Sequence, residues 1–228
     1  DHVMTIQGTV KRSAILSLCV LLNAGCAWSR FYSSIQPDPA TVTPWMIGGA
    51  IGGFVLALVT VFKQQWAPVT APLYALLEGF FIGGISALAE MQFPGIVIQA
   101  VGLTFGTCLA MLVAYTSGLV RATENFKLGV LAATGGIALV YLVSIVLGIF
   151  GIRIPLIHEN GLIGIGFSVF VVVVAALNLV LDFDFIETGA AQRAPKYMEW
   201  YGAFALMVTL VWLYIEILRL LSKLRGRD

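Results

Sequence analysis

Four acids and an amide stand in stretches of this chain too apolar to solvate them. Asp182 and Asp184 close one long apolar run, Asn178 lies one helical turn before Asp182, Glu216 sits deep in the next run, and Glu78 lies in an earlier one. A carboxylate inside an apolar helix is costly to keep, so by default it marks a function and needs a partner. Asn178 and Asp182 are four apart and share one helix face. Two carboxyls brought together in a low-dielectric site cannot both ionise cheaply and would hold a proton between them. Each acid also has a plain structural reading. Asp184 and Glu187 suit a solvated helix end. Glu216 has Arg219 three residues on, which makes an intrahelical ion pair. Glu78 stands beside Gly79, Gly83 and Gly84, where a helix-pairing role is the alternative to a cavity role.

These residues need membrane-spanning elements to position them. Of 228 residues, 59% are hydrophobic and 11% charged, and the mean hydropathy is +0.95. A soluble domain carries about 25% charged residues, so the composition indicates a polytopic membrane protein. A span needs about 20 mostly apolar residues. Seven runs meet or approach this: 14–31, 45–62, 72–89, 95–118, 128–150, 162–182 and 201–221. The expected organisation is a cytoplasmic segment over 1–12, a seven-helix transmembrane domain over 13–224 and a tail over 225–228. The stretch before Cys26 has the outline of a lipoprotein signal, but Asn23 stands where such a signal has an apolar residue. The first run is therefore read as a retained span. Gly48/Gly52, Gly49/Gly53, Gly79/Gly83 and Gly102/Gly106 are each four apart, a spacing that lets helices approach closely in lipid.

Lys11, Arg12, Lys63, Arg121, Lys127, Arg193 and Lys196 fall on the N-terminal side of seven crossings. Arg30, Arg153 and the tail residues Arg219, Lys223, Arg225 and Arg227 fall on the other. The loops alone place the N-terminus in the cytoplasm; the basic tail opposes this, unless the last helix does not cross fully. Net charge is +1 with no basic run, so no nucleic-acid partner is expected. Cys19, Cys26 and Cys108 form no CxxC or Cys/His pattern, so neither a zinc site nor a disulfide framework is expected. No cofactor is expected either. The bilayer is the expected partner.

The pattern L-V-L-D-F-D-F-I-E at 179–187, followed by L-Y-I-E-I-L-R-L-L at 213–221, resembles the Bax inhibitor family in its bacterial branch. The seven-run layout agrees over about residues 10–224, and the specific motifs lie in the last fifty. The resemblance implies an all-α fold of two three-helix layers around a central C-terminal helix. It also implies a pH-sensitive calcium leak, in a bacterial inner membrane, with Asp182 and Glu216 as the sensing pair and weak calcium ligands. Asp184, Asn178 and Glu78 would be further cavity residues. Glu216 stands where the family usually has Asp, and no basic residue in the second span meets the first acid.

Other classes fit less well. An intramembrane aspartyl protease needs a Gly-x-Gly-Asp setting, which Glu216 lacks. Intramembrane serine chemistry needs a histidine in a span, and His2 and His158 lie outside the runs. No enzyme is expected. A proton-coupled secondary transporter and a non-transporting modulator of membrane-protein quality control remain as alternatives.

Overall fold

The computed structural model describes residues 2–33 and 35–227; residues 1 and 228, the extremes of the two terminal segments, lie outside them. Its helices are α1 (Ile6–Tyr32), α2 (Pro39–Phe62), α3 (Ala67–Gln92), α4 (Ile96–Thr116), α5 (Glu124–Ile149), the single turn α6 (Pro155–His158), α7 (Leu162–Ala191) and α8 (Met198–Arg225). Seven are long and apolar enough to cross a membrane. Among the described residues the only extended pairing is an isolated bridge between Val3 and Pro195. This is the expected consequence of lipid: with no water to bond, each backbone group must be satisfied within its own helix.

The helix ends follow from local chemistry. The Thr5 hydroxyl accepts from the Gly8 amide to cap α1. Asp38 accepts from the Ala40 amide, with Pro39 opening α2, and Thr123 accepts from the Phe126 amide to start α5. Between α7 and α8 the turn passes through Arg193 at φ 55°. There the Ala194 amide returns to the Gly189 carbonyl at 3.0 Å, closing α7 with a left-handed residue that is usually glycine.

Two compact units share the chain. One holds Asp1–Pro94 and Asp184–Val211; the other holds Gly95–Phe183 and Trp212–Asp228. In the first, α3 packs against both α1 and α2, and glycines set the distance. A Cβ at Gly83 would fall on the backbone of Ala24, and one at Gly79 would lie 2.7 Å from the Val20 carbonyl oxygen. On the other side of α3, a Cβ at Gly49 would lie 3.1 Å from the Phe81 amide. The Asn23 amide adds a bond to the Leu76 carbonyl at 2.8 Å, and Phe31, Val42 and Ala87 close one end as an apolar cluster. The second unit packs Ile137 of α5 with Val171 and Val174 of α7, against which Trp212 of α8 rests.

α7 and α8, which carry the acids, contribute to both units. α7 continues nine residues past Asp182 to Ala191, so the sixth span is longer than the apolar run suggests. No residue of α8 from Met198 to Lys223 is exposed, and Ala203, Phe204, Met207, Leu213, Tyr214 and Leu218 are each under 8% exposed. Pro195 lies in the turn before α8 and pairs with Val3.

The glycine spacing was only partly informative. Nothing lies within 4 Å of a Cβ placed at Gly48, Gly102 or Gly106, so these three face open space rather than another helix. The contrast makes a test. Gly83→Ala is expected to destabilise the protein by about 1–3 kcal/mol, the usual cost of overpacking, while Gly102→Ala leaves the thermal midpoint in detergent unchanged or slightly higher. Equal effects of the two would show that the α1–α3 contact is looser than this.

Candidate functional site

Glu216 is the most enclosed of the acids expected from the sequence, at 1% exposure. Its Oε1 accepts from the Tyr141 hydroxyl of α5 at 2.7 Å and lies 3.5 Å from the Arg219 guanidinium. Arg219 also donates to the Tyr141 oxygen at 2.9 Å and sits 5.3 Å from the centre of that ring. The tyrosine thus donates to the acid and accepts from the base. Oε2 is buried and has no hydrogen-bond partner among the described residues.

One helical turn past Arg219, Lys223 is 4% exposed. Its ammonium donates to the Gly164 carbonyl at 3.0 Å and the Ser168 hydroxyl at 2.8 Å, both near the start of α7. Toward the other end of α7, Asn178 donates to Thr134 of α5 at 2.9 Å. Asp182, one turn further and half-buried, is within electrostatic reach of Cys108 on α4. Asp184, two residues on, belongs to the other unit.

Asp182 and Glu216 are not brought together. The Tyr141–Phe167 ring contact, the Tyr141–Glu216 bond and the Lys223–Ser168 bond place Glu216 opposite the first half of α7. Asp182 lies about ten to fifteen residues beyond that level, on the order of 15–20 Å at ~1.5 Å per residue. The carboxyl pair expected from the sequence is therefore not formed here, and the two acids do not share a calcium site. Glu216 takes the intrahelical Arg219 partner instead, strengthened by a tyrosine that the sequence did not single out.

Glu78 lies in the first unit, 9% exposed, with its carboxyl against Gly53 of α2, where a Cβ would stand 2.7 Å from Oε1. Among the described residues it has no hydrogen bond. It faces a helix neighbour, as the surrounding glycines suggested.

Glu199 stands in the sequence outside the apolar runs, just before the last of them. It is fully buried at the start of α8. It accepts from the Thr5 amide and hydroxyl, each at 2.9 Å, and from Lys196 at 2.9 Å, and it pairs with Arg12 at 2.9 Å. Gly8 leaves room for the carboxylate, since a Cβ there would collide with it. Backbone bonds from Met4 to Ala194 at 2.7 Å and from Lys196 to His2 at 3.1 Å fasten the same strand segment. An acid in the first turn of a helix with a lysine three residues before it was the available signal; its partners, at the other end of the chain, left none.

An all-helical chain with seven apolar helices of spanning length and ionisable groups enclosed among them is an integral membrane protein. Its sequence matches the family model described as Bax inhibitor 1 like over residues 1–226, and the chain belongs to that family. No curated protein and no solved structure matches it.

The Glu199 cluster gives a stability prediction. Glu199→Gln removes charge-assisted bonds to Arg12 and Lys196 and is expected to cost about 2–3 kcal/mol, read as a lowered thermal midpoint in detergent. Lys196→Ala, at a half-exposed partner, is expected to cost less. An unchanged midpoint for Glu199→Gln would show that the cluster does not hold α1 to α8.

Proposed function

We propose that this protein is a pH-sensitive, calcium-permeable leak in a bacterial inner membrane, with its N-terminus in the cytoplasm and no enzymatic activity. The observation that carries the reading is Glu216, a carboxylate enclosed within a spanning helix and held by a tyrosine and an arginine. Family membership supports it. Asp182 is a second acid of the same unit and Asn178 a polar neighbour, while Asp184 and Glu78 lie in the other unit.

The chemistry suits transit rather than storage. Glu216 keeps one buried oxygen unpaired, which a passing cation can use. Arg219 and Lys223 stand one and two turns away on the same helix and oppose a resident divalent ion. Loss of the negative charge at Glu216 leaves those two cations unbalanced and disfavours calcium passage, so the proposed pH sensitivity runs toward less flux in acid.

The test is calcium flux in proteoliposomes across the neutral pH range. Glu216→Gln imitates the protonated state and is expected to give low flux with little pH dependence, and Asp182→Asn a partial loss. Sites separated by more than about 7–10 Å act nearly additively, so the double variant should combine the two single effects. Wild-type protein that carries no calcium at any pH would overturn the reading. Flux coupled to a proton gradient and a second solute would favour a transporter, and no flux of any ion a quality-control modulator. For orientation, Arg227→Cys, at an exposed tail residue, is expected to react with an impermeant thiol reagent only from outside the cell; reaction only from the cytoplasm would reverse the assignment.

A further inference from the structure

Three helices of the second unit repeat one order of side chains. Along α5, Thr134 is followed by Ile137 and then Tyr141. Along α7, Ser168 precedes Val171 and Val174, with Asn178 and Asp182 beyond. Along α8, Trp212 precedes Glu216, Arg219 and Lys223. The contacts put these in register. Tyr141, Glu216 and Arg219, with Ser168 and Lys223, make one polar level. Thr134 and Asn178 make another, with Asp182 one turn beyond. Between them Ile137, Val171 and Val174 pack with Trp212, and the first three are 3%, 0% and 4% exposed. From Thr134 to Tyr141 the rise is on the order of 10 Å.

We propose that this apolar layer of Ile137, Val171, Val174 and Trp212 is the closed gate of the ion path; the proposal rests on the leak reading above. Along α5 and α7 an ion leaving the Glu216 level meets about two helical turns without a polar side chain, and taking a charge into such a medium without a partner is prohibitive. An apolar constriction blocks ions by excluding water, and it conducts once it widens or becomes polar enough to wet. Tyr141 links the layer to the charges: its ring packs on the apolar cluster while its hydroxyl bonds Glu216. A change in the charge of Glu216 therefore acts on a side chain that touches the gate.

The test makes the layer wettable without emptying it. Val174→Thr and Val171→Thr keep the side-chain volume and add a hydroxyl; Ile137→Thr goes further. In calcium-loaded proteoliposomes each is expected to raise calcium efflux several-fold at the acid pH where the wild type is shut, while a large trapped dye stays inside. A purely structural layer would give a lower thermal midpoint with no gain in flux. Folded Thr variants with wild-type flux overturn the gate. A second measurement does not depend on the ion. With Cys19, Cys26 and Cys108 replaced by Ala, Val174→Cys is expected to react with a water-soluble thiol reagent much more slowly than Asp182→Cys or Arg219→Cys. Equal rates overturn the layer as a water barrier. If the wild type carries no calcium at any pH, the leak reading fails, and these labelling rates alone decide the barrier.

Discussion

A charge enclosed by apolar helices must be matched where it stands, because moving it out of water costs several kcal/mol even after relaxation, and α8 carries three such groups. Glu199 opens the helix, Glu216 lies in its second half and Lys223 near its end, each under 5% exposed. Each draws its partners from a different part of the chain: Thr5 and Arg12 of the N-terminal region with Lys196 before α8, Tyr141 of α5, and the first turns of α7. Sliding α8 by one turn would strand all three at once. The register of the central helix is thus fixed by polar requirements that apolar packing alone would leave loose, since lipid and leucine offer a helix nearly the same surroundings.

Apart from the Glu199 cluster of the first unit, the two units hold their helices by different means. In the first, glycines of α2 and α3 let backbones meet, and the α1–α3 contact carries two side-chain bonds, from Asn23 to the Leu76 carbonyl at 2.8 Å and from Tyr32 to the Ala87 carbonyl at 3.5 Å. Such contacts gain from close packing along their length and tolerate little substitution. In the second, glycines at Gly102, Gly106, Gly129 and Gly136 meet nothing within 4 Å, and side-chain bonds join the helices instead. Polar bonds can be exchanged or lost by adding a proton or an ion, whereas a glycine seam cannot.

The sequence displayed the spans and the costly residues well, because both are local properties. A run of apolar residues shows its length, and an acid within it shows its expense. What it could not display was partnership. Tyr141 and Lys223 read as an ordinary aromatic and an ordinary tail cation until the neighbouring helix was known. Glu199 stands outside the apolar runs, close to Gln192, Arg193 and Lys196, while its burial comes from α1, nearly two hundred positions away. The glycine spacings held at Gly49/Gly53 and Gly79/Gly83 but not at Gly102/Gly106: four-residue spacing puts two glycines on one face, but only the fold decides whether that face meets a helix. The expected contact between Asp182 and Glu216 assumed that two acids on successive helices find each other, whereas each has its own polar surroundings.

The glutamate at position 216, where an aspartate is usual in the family motif, is explained by the same surroundings. Its Oε1 reaches the Tyr141 hydroxyl at 2.7 Å while still 3.5 Å from Arg219 on its own helix. An aspartate, one methylene shorter, would draw the carboxylate back toward α8 by roughly 1.5 Å, the length of a carbon–carbon bond, and the tyrosine bond would stretch beyond hydrogen-bond length unless α5 moved inward. α5 has little freedom to do so, because Ile137, one turn away, is already packed against Val171 and Val174. The longer acid thus bridges a spacing set by the apolar layer beside it. The acid, the tyrosine and the layer make one mechanical unit, in which a change of charge at Glu216 is felt first by the side chain that rests on Ile137 and its neighbours.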